Sequence, residues 1–381
     1  MKTDNFVQKN IIKVTKKMKI LCIVERSAWD GAKEQTYLFI REISKYHDVE
    51  LAINEKFIRM NELAKQHAKI HYFEKYSKVK MQFNFNNYAR LLKIVNENKY
   101  DLIVTQSSLT MHYVRVIYPF FKKKPKIIAV KRGDTIPNIA SRWLKYGIAD
   151  EIVLVSKHVK SLLVKNNSHK QQLHVIESGV DMSRFYPGDD VAHVRNQLGL
   201  SSTDKVFINV SNWDLNRKRQ HIILQAFSQL ECENSKLILV GNGTDSQEAL
   251  DKVNSYHNSD RILCLGFRKD VPDLLRASDF FVMSSNSEGI AGALLQAMAC
   301  GKVVLSTNAG GIVEYLVDDV NGYAANVDDI ATFTSKFIAL TKISDSVRKN
   351  LTASAIETAH QYSLDHNIEQ WRKLIDATCE K

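Results

Sequence analysis

Glu288 and Gln296 stand at the two ends of a segment whose chemistry suits an anion. Ser284 to Glu314 reads SSNSEGIAGALLQAMACGKVVLSTNAGGIVE. Ser284 to Gly289 is small and polar, which marks a turn. Ile290 to Cys300 is rich in Ala, Leu, Met and Gln, and Gly301 follows where a left-handed cap belongs, so the run predicts a helix. Glu288 then lies beside free backbone N–H groups at the positive end of the helix dipole, a place that binds phosphate. Gln296 falls about 12 Å further along the axis at about 1.5 Å per residue. A polar group at each end with amides between them suits a sugar, a diphosphate and a ribose laid in a row.

Such a segment needs a scaffold, and the rest of the chain predicts one. Strands are expected at Ile20 to Glu25, Val49 to Ile53, Asp101 to Thr105, Lys126 to Val130 and Glu151 to Val155. Helical stretches from Lys33 to Tyr46 and Tyr88 to Asn96 alternate with them. The rhythm restarts with strands at Lys205 to Ser211, Lys236 to Val240, Ile262 to Leu265 and Phe280 to Met283, and helices at Ile222 to Leu230 and Val271 to Ala277. Alternating βα units predict parallel sheets covered on both faces, with ligands at the carboxyl ends of the strands. ESGVDMSRFYPG, from Glu177 to Gly188, has the turn chemistry of a linker. The fold class is α/β: two Rossmann-like domains facing each other across a cleft. The boundaries fall at residues 1–178 for the first domain and 179–358 for the second, with 359–381 as a terminal helix.

Composition narrows the function. The chain has 381 residues, 44% of them hydrophobic, with a net charge of +11. Residues 1–180 carry 33 Lys and Arg against 16 Asp and Glu, a net of +17, and the remainder carries 20 against 26, a net of −6. Only the first half is suited to an anionic partner. No RNA-binding motif accompanies the charge, so nucleic acid is not expected. Tyr118 to Lys126, YPFFKKKPK, joins aromatics to a lysine cluster, the pairing used at membrane surfaces. Residues 1–17 are either a short amphipathic surface helix or a frayed leader. No apolar run long enough to span a bilayer and no secretory leader is seen, and the five scattered Cys form no metal-binding pair. A reduced, cytoplasmic setting is expected, peripheral to the inner face of the cytoplasmic membrane. No Asp-x-Asp triplet, Walker A loop, HExxH or Gly-x-Ser-x-Gly occurs.

Several blocks in the second half resemble family 4 glycosyltransferases of the GT-B fold. In order they are VIESGVDMSRFYP, NVSNWDLNRKRQ, LILVGNGTD, ILCLGFRKDVPDLLRASDFFVMSSNSEG and LLQAMACGKVVLSTNAGGIVEYLVDDVNGY. IVERSAWDGAKEQTYLFIREIS is similar to the family's Gly-Gly-Ala-Glu loop and helix, with Asp30 in place of the first Gly. The resemblance implies roles position by position. Glu288 would hold the donor sugar's hydroxyls, and Lys218 would contact the diphosphate. The amides of Ile290, Ala291 and Gly292 would hold the phosphate, with Gly289 allowing close approach. Gly241 and Gly243 would border the nucleotide, and Phe267 and Arg268 would mark where backbone reads the base. HQYSLDHNIEQWRKLI, from His360 to Ile375, resembles the family's terminal helix that crosses back to the first domain, with Trp371 and Leu374 packing there.

Three departures stand out. Gln296 replaces the second Glu of the family's Glu-x7-Glu element. Asn212 replaces an arginine, with Arg217 nearby as a substitute. VKRGDT puts Lys131 or Arg132 where the family often has a cleft His, and His112 is a second candidate for that role. The implied reaction is metal-independent, retaining transfer of a sugar from a nucleoside-diphosphate donor, UDP- or GDP-linked, with no separate cofactor. The acceptor would be a glycan or a lipid-linked molecule, as in lipopolysaccharide or other envelope polysaccharide synthesis. The competing readings are a catalytically weak homologue that serves as a binding partner, and a nucleotide-sugar 2-epimerase.

Overall fold

The computed structural model describes residues 16–25, 29–74, 84–134, 146–164, 172–188 and 191–380. Two parallel sheets dominate it. The first has seven strands: β1 (Lys19–Ile23), β2 (Asp48–Asn54), β3 (Lys69–Glu74), β4 (Leu102–Thr105), β5 (Lys126–Lys131), β6 (Glu151–Leu154) and β7 (Gln172–Val175). Their order is β3-β2-β1-β4-β5-β6-β7. The second has six: β8 (Lys205–Val210), β9 (Ser235–Val240), β10 (Ile262–Cys264), β11 (Phe280–Met283), β12 (Val303–Thr307) and β13 (Tyr323–Ala325), in the order β10-β9-β8-β11-β12-β13. The central strands are runs of Ile, Val, Leu and Phe with both faces buried, as helices on each side of a parallel sheet require.

Strand order reverses between β1 and β4 in the first sheet and between β8 and β11 in the second. At such a switch point the flanking loops diverge and leave a crevice. Trp29 to Gly31 after β1, Arg132 to Asp134 after β5, and residues of the loops after β8, β9, β10 and β11 face a common space.

The chain passes between domains twice, and the two passages touch. Val180 N donates to Tyr362 O at 2.8 Å, and Leu364 N donates to Val180 O at 2.8 Å. The helix Asp345–Gln361 buries Ala355 and Ala359 in the second domain's core. The helix Leu364–Glu380 returns to the first domain and buries Trp371, Leu374 and Ile375 there, with Trp371 edge-on to Phe39 at a centroid distance of 4.8 Å. Gly179 sits against this passage: a Cβ there would lie 2.8 Å from the Leu364 Cα. The expected surface helix over residues 1–17 lies outside the described residues, apart from its last two.

Candidate active site

The loops between the sheets enclose a cavity of about 360 Å³ lined from both domains, within the range of small-molecule sites. Its floor on the second domain is the loop after β11. The helix there is Gly292–Ala299, two residues shorter at its start than the sequence predicts, and Ala291 occupies the N-cap without a side-chain bond. Glu288 therefore precedes the helix rather than capping it. Its carboxylate forms an ion pair with Lys218 and accepts from the Ser285 hydroxyl at 2.7 Å. Glu288 is buried and Lys218 half-buried, with side chains 8% and 14% exposed. Gly311 N donates to Glu288 O at 3.0 Å, and Gly310, at φ +56°, packs so close to that carbonyl that a side chain would overlap it. This backing holds the Glu288 loop in place.

Lys218 reaches Glu288 because the loop after β8 is braced. The Asp214 carboxylate accepts from Arg217 N at 2.9 Å and Asn216 N at 3.1 Å, and the Ser284 hydroxyl donates to Lys218 O at 3.0 Å. Gly289, Ile290, Ala291, Gly292 and Gln296 line the cavity, as do Arg217, Gly241, Phe267 and Arg268. Gly243 does not line it; its backbone lies against Trp213. Asn212 lines it, but its Oδ1 is taken by Asn242, through N and Nδ2, each at 3.0 Å. Arg217 is 58% exposed and faces Asp214 at 3.7 Å. Arg268 is tied to Asp270, and this pairing raises the guanidinium and holds the Asp270 carboxyl below its usual range.

The first domain closes over this floor. Arg132 lines the cavity; Lys131 does not, and its Nζ donates to Gly133 O at 2.8 Å. Of the two candidates for the cleft position, only Arg132 is brought to it. His112 is a correction. Ser107 and Thr110 form a capping box that starts the helix Ser108–Ile117. His112 rides on that helix, packs against Tyr88 at a centroid distance of 6.3 Å, and does not reach the cavity.

Three cross-domain contacts have no counterpart in the sequence reading. Asn242 Nδ2 donates to Trp29 O at 2.7 Å. The Ser287 hydroxyl bonds Asp134. Arg59 lies 4.3 Å from the Trp29 ring centroid and 4.4 Å from that of Phe267, so one cation spans an aromatic from each domain. Trp29-Asp30-Gly31 carried a signal, a turn after the first strand. Arg59 carried none, because a lone Arg on a short helix has no pattern.

This architecture matches known glycosyltransferases. Residues 190–358 match the model described as "Glycosyl transferases group 1", and residues 29–184 match "Glycosyltransferase Family 4". The two matches span both domains, and the chain belongs to the family 4 glycosyltransferases of the GT-B fold. Among its relatives is the N-acetyl-alpha-D-glucosaminyl L-malate synthase of Bacillus anthracis, 29% identical over 65% of this chain and 67% of that protein. Another is the Escherichia coli UDP-Gal:alpha-D-GlcNAc-diphosphoundecaprenol alpha-1,3-galactosyltransferase, 25% identical over 68% of this chain and 72% of that protein. Anabaena Alr3699/HepE, solved in complex with UDP and glucose, superposes with a TM-score of 0.81 over 94% of this chain and 100% of that chain, at 19% identity.

Proposed function

We propose that this glycosyltransferase moves a sugar from a nucleoside-diphosphate donor to a hydroxyl of a glycan or lipid-linked envelope acceptor, with retention at the anomeric carbon. The observation that carries the reading is the buried Glu288–Lys218 pair beside the Gly289–Gly292 loop, in a cleft between two switch points. In this reading the loop amides hold the diphosphate, Lys218 offsets its charge, and Glu288 accepts from hydroxyls of the sugar. The bond from the anomeric carbon to the phosphate oxygen breaks and its electrons stay on the phosphate. The acceptor oxygen bonds the same face, and its proton passes to the departing phosphate oxygen. Contact between the domains excludes water, which would otherwise hydrolyse the donor. Relatives named for diphosphoundecaprenol acceptors, in Escherichia coli and Campylobacter jejuni, support a lipid-linked acceptor.

The surface between the helix Ser108–Ile117 and β5 supports a place at the membrane. Phe120 is 67% exposed beside the exposed Lys122, Lys123 and Lys124. Among the described residues no helix is long and apolar enough to cross a bilayer, so in this reading the basic first domain docks on an anionic surface. Two measurements test the proposal. Calorimetry with UDP- and GDP-sugars must show binding of at least one that Glu288→Ala weakens. Sedimentation with phosphatidylglycerol vesicles at low salt must carry the protein down, and failure to do so removes the membrane part alone.

A further inference from the structure

Among the described residues, Arg132 of the first domain enters the cleft with no carboxylate in salt-bridge contact. Arg132 follows β5 and lines the cavity. It meets the Glu288–Gly292 loop directly, since a methyl group on Gly289 would strike the Arg132 carbonyl. Its Nη2 donates to Gln106 Oε1 at 2.9 Å, while Nε is buried with no partner. The two acids near it are engaged elsewhere. Asp30 accepts from Lys33 N at 3.0 Å to cap a helix, and Glu25 faces Lys33 Nζ at 3.4 Å and accepts from the Ser107 hydroxyl at 2.7 Å. Burial pulls the Arg132 guanidinium down to about 10.

The other arginines of the cavity are placed differently. Arg184, Arg217 and Arg268 each face a carboxylate; Arg59 also has Nε and Nη1 buried with no hydrogen-bond partner among the described residues, but its guanidinium lies between two aromatic rings. A buried cation is normally paired, because desolvation disfavours its charge. An unpaired one in a binding cleft is a group awaiting an anion.

We infer that Arg132 is an anion-binding residue of the closed cleft, receiving a negatively charged group of the ligand held by the Glu288–Gly292 loop. This rests on that loop being the donor site. Two groups present the required anionic oxygen: the diphosphate, and a carboxylate on a uronic acid carried by the donor. In the first case Arg132 and Lys218 together stabilise the electron pair left on the phosphate when the anomeric bond breaks. The residues come from opposite domains, so that stabilisation exists only when the domains meet.

The test compares full-length wild type, Arg132→Gln and Arg132→Lys by calorimetry. The probes are UDP, GDP, UDP-glucose and UDP-glucuronate, with GDP-mannose and GDP-mannuronate if the protein selects guanine. If the diphosphate is the anion, Arg132→Gln weakens every probe by about tenfold or more and Arg132→Lys recovers part of it. If a carboxylate is the anion, nucleoside diphosphates bind unchanged, and a wild-type preference of about tenfold for the uronate donor vanishes. Equal affinities and equal preference in all three proteins overturn the inference. Thermal melting without ligand gives an independent readout. Relief of an unpaired buried charge raises the midpoint of Arg132→Gln by about 2 °C or more, whereas a structural hydrogen-bonding role lowers it and counts against the inference. A wild type that binds none of the nucleotides overturns the donor-site reading itself, and that failure appears before any variant is compared.

Discussion

Glu288→Gln keeps the side chain's shape and removes its charge, which makes it the sharpest probe of the proposed donor site. The carboxylate is bound to Lys218 and accepts from Ser285 at 2.7 Å, with its side chain only 8% exposed. A hydrogen bond to a charged group contributes about 1.5–3 kcal/mol, against about 1 for a neutral one. If Glu288 accepts from the sugar's hydroxyls in the transition state, replacing that charged bond by a neutral one costs the difference, about 0.5–2 kcal/mol, and lowers kcat/KM by about 2- to 30-fold at about 1.36 kcal/mol per decade. The variant also leaves Lys218 without its counter-charge, so the unliganded protein melts lower. Adding Lys218→Met removes that strain, and the double variant recovers part of the lost melting temperature, a coupling of about 0.5 kcal/mol or more. Before the acceptor is known, slow donor hydrolysis provides the rate, read as nucleoside diphosphate released. A Glu288→Gln protein within twofold of wild type in that rate and in donor affinity would refute the assignment.

Three further outcomes are expected. Gln296→Glu supplies a second carboxylate at the far end of the donor loop, and calorimetry should show nucleoside-diphosphate affinity rising by up to about tenfold; no change means the ribose end is held by other groups. His112→Ala should leave transfer and hydrolysis within twofold while lowering the melting midpoint through the lost Tyr88 contact; a large kinetic loss would return His112 to the cleft. All five cysteines are free, and burial raises the thiols of Cys22 to about 12 and of Cys264, Cys300 and Cys379 to about 11. Each of these four stays protonated through pH 9, so iodoacetamide labelling followed by mass spectrometry should find Cys232 modified well before them.

The parallel sheets were legible because β1, β4, β5, β8 and β11 are short apolar runs spaced by helical stretches. β3 and β7 escaped notice for the opposite reason. They are edge strands, and the half-exposed KIHYFE and QLHV lack the apolar run that marks a central strand. Ile290 and Ala291 resemble helix residues in composition, which predicts a helix start at Ile290, but their backbone lies outside the helix, which begins at Gly292. Glu288 and Lys218 were found through motif context, although they lie 70 residues apart. The first domain's share of the site was mostly invisible. Arg132 was one of two adjacent cations that only the end of β5 distinguishes, and Arg59 reaches Phe267 across a space that no local pattern describes.

The paired passages at Val180 and Ser363 set how this molecule can move. The two passages are joined at a single backbone bridge, the narrowest connection between the domains, so any change in the angle between them is taken up there. Contacts next to that bridge keep their length through such a change. The reciprocal bonds of Gln35 with Gly179, at 2.8 and 2.9 Å, and the Arg41–Asp181 pair at 2.9 Å are of this kind. Asn242 with Trp29, Ser287 with Asp134, and the amides of Lys157 and His158 with Glu314 span the cleft away from that bridge. The angle between the domains therefore sets both the width of the cleft and the distance from Arg132 to the Gly289 loop.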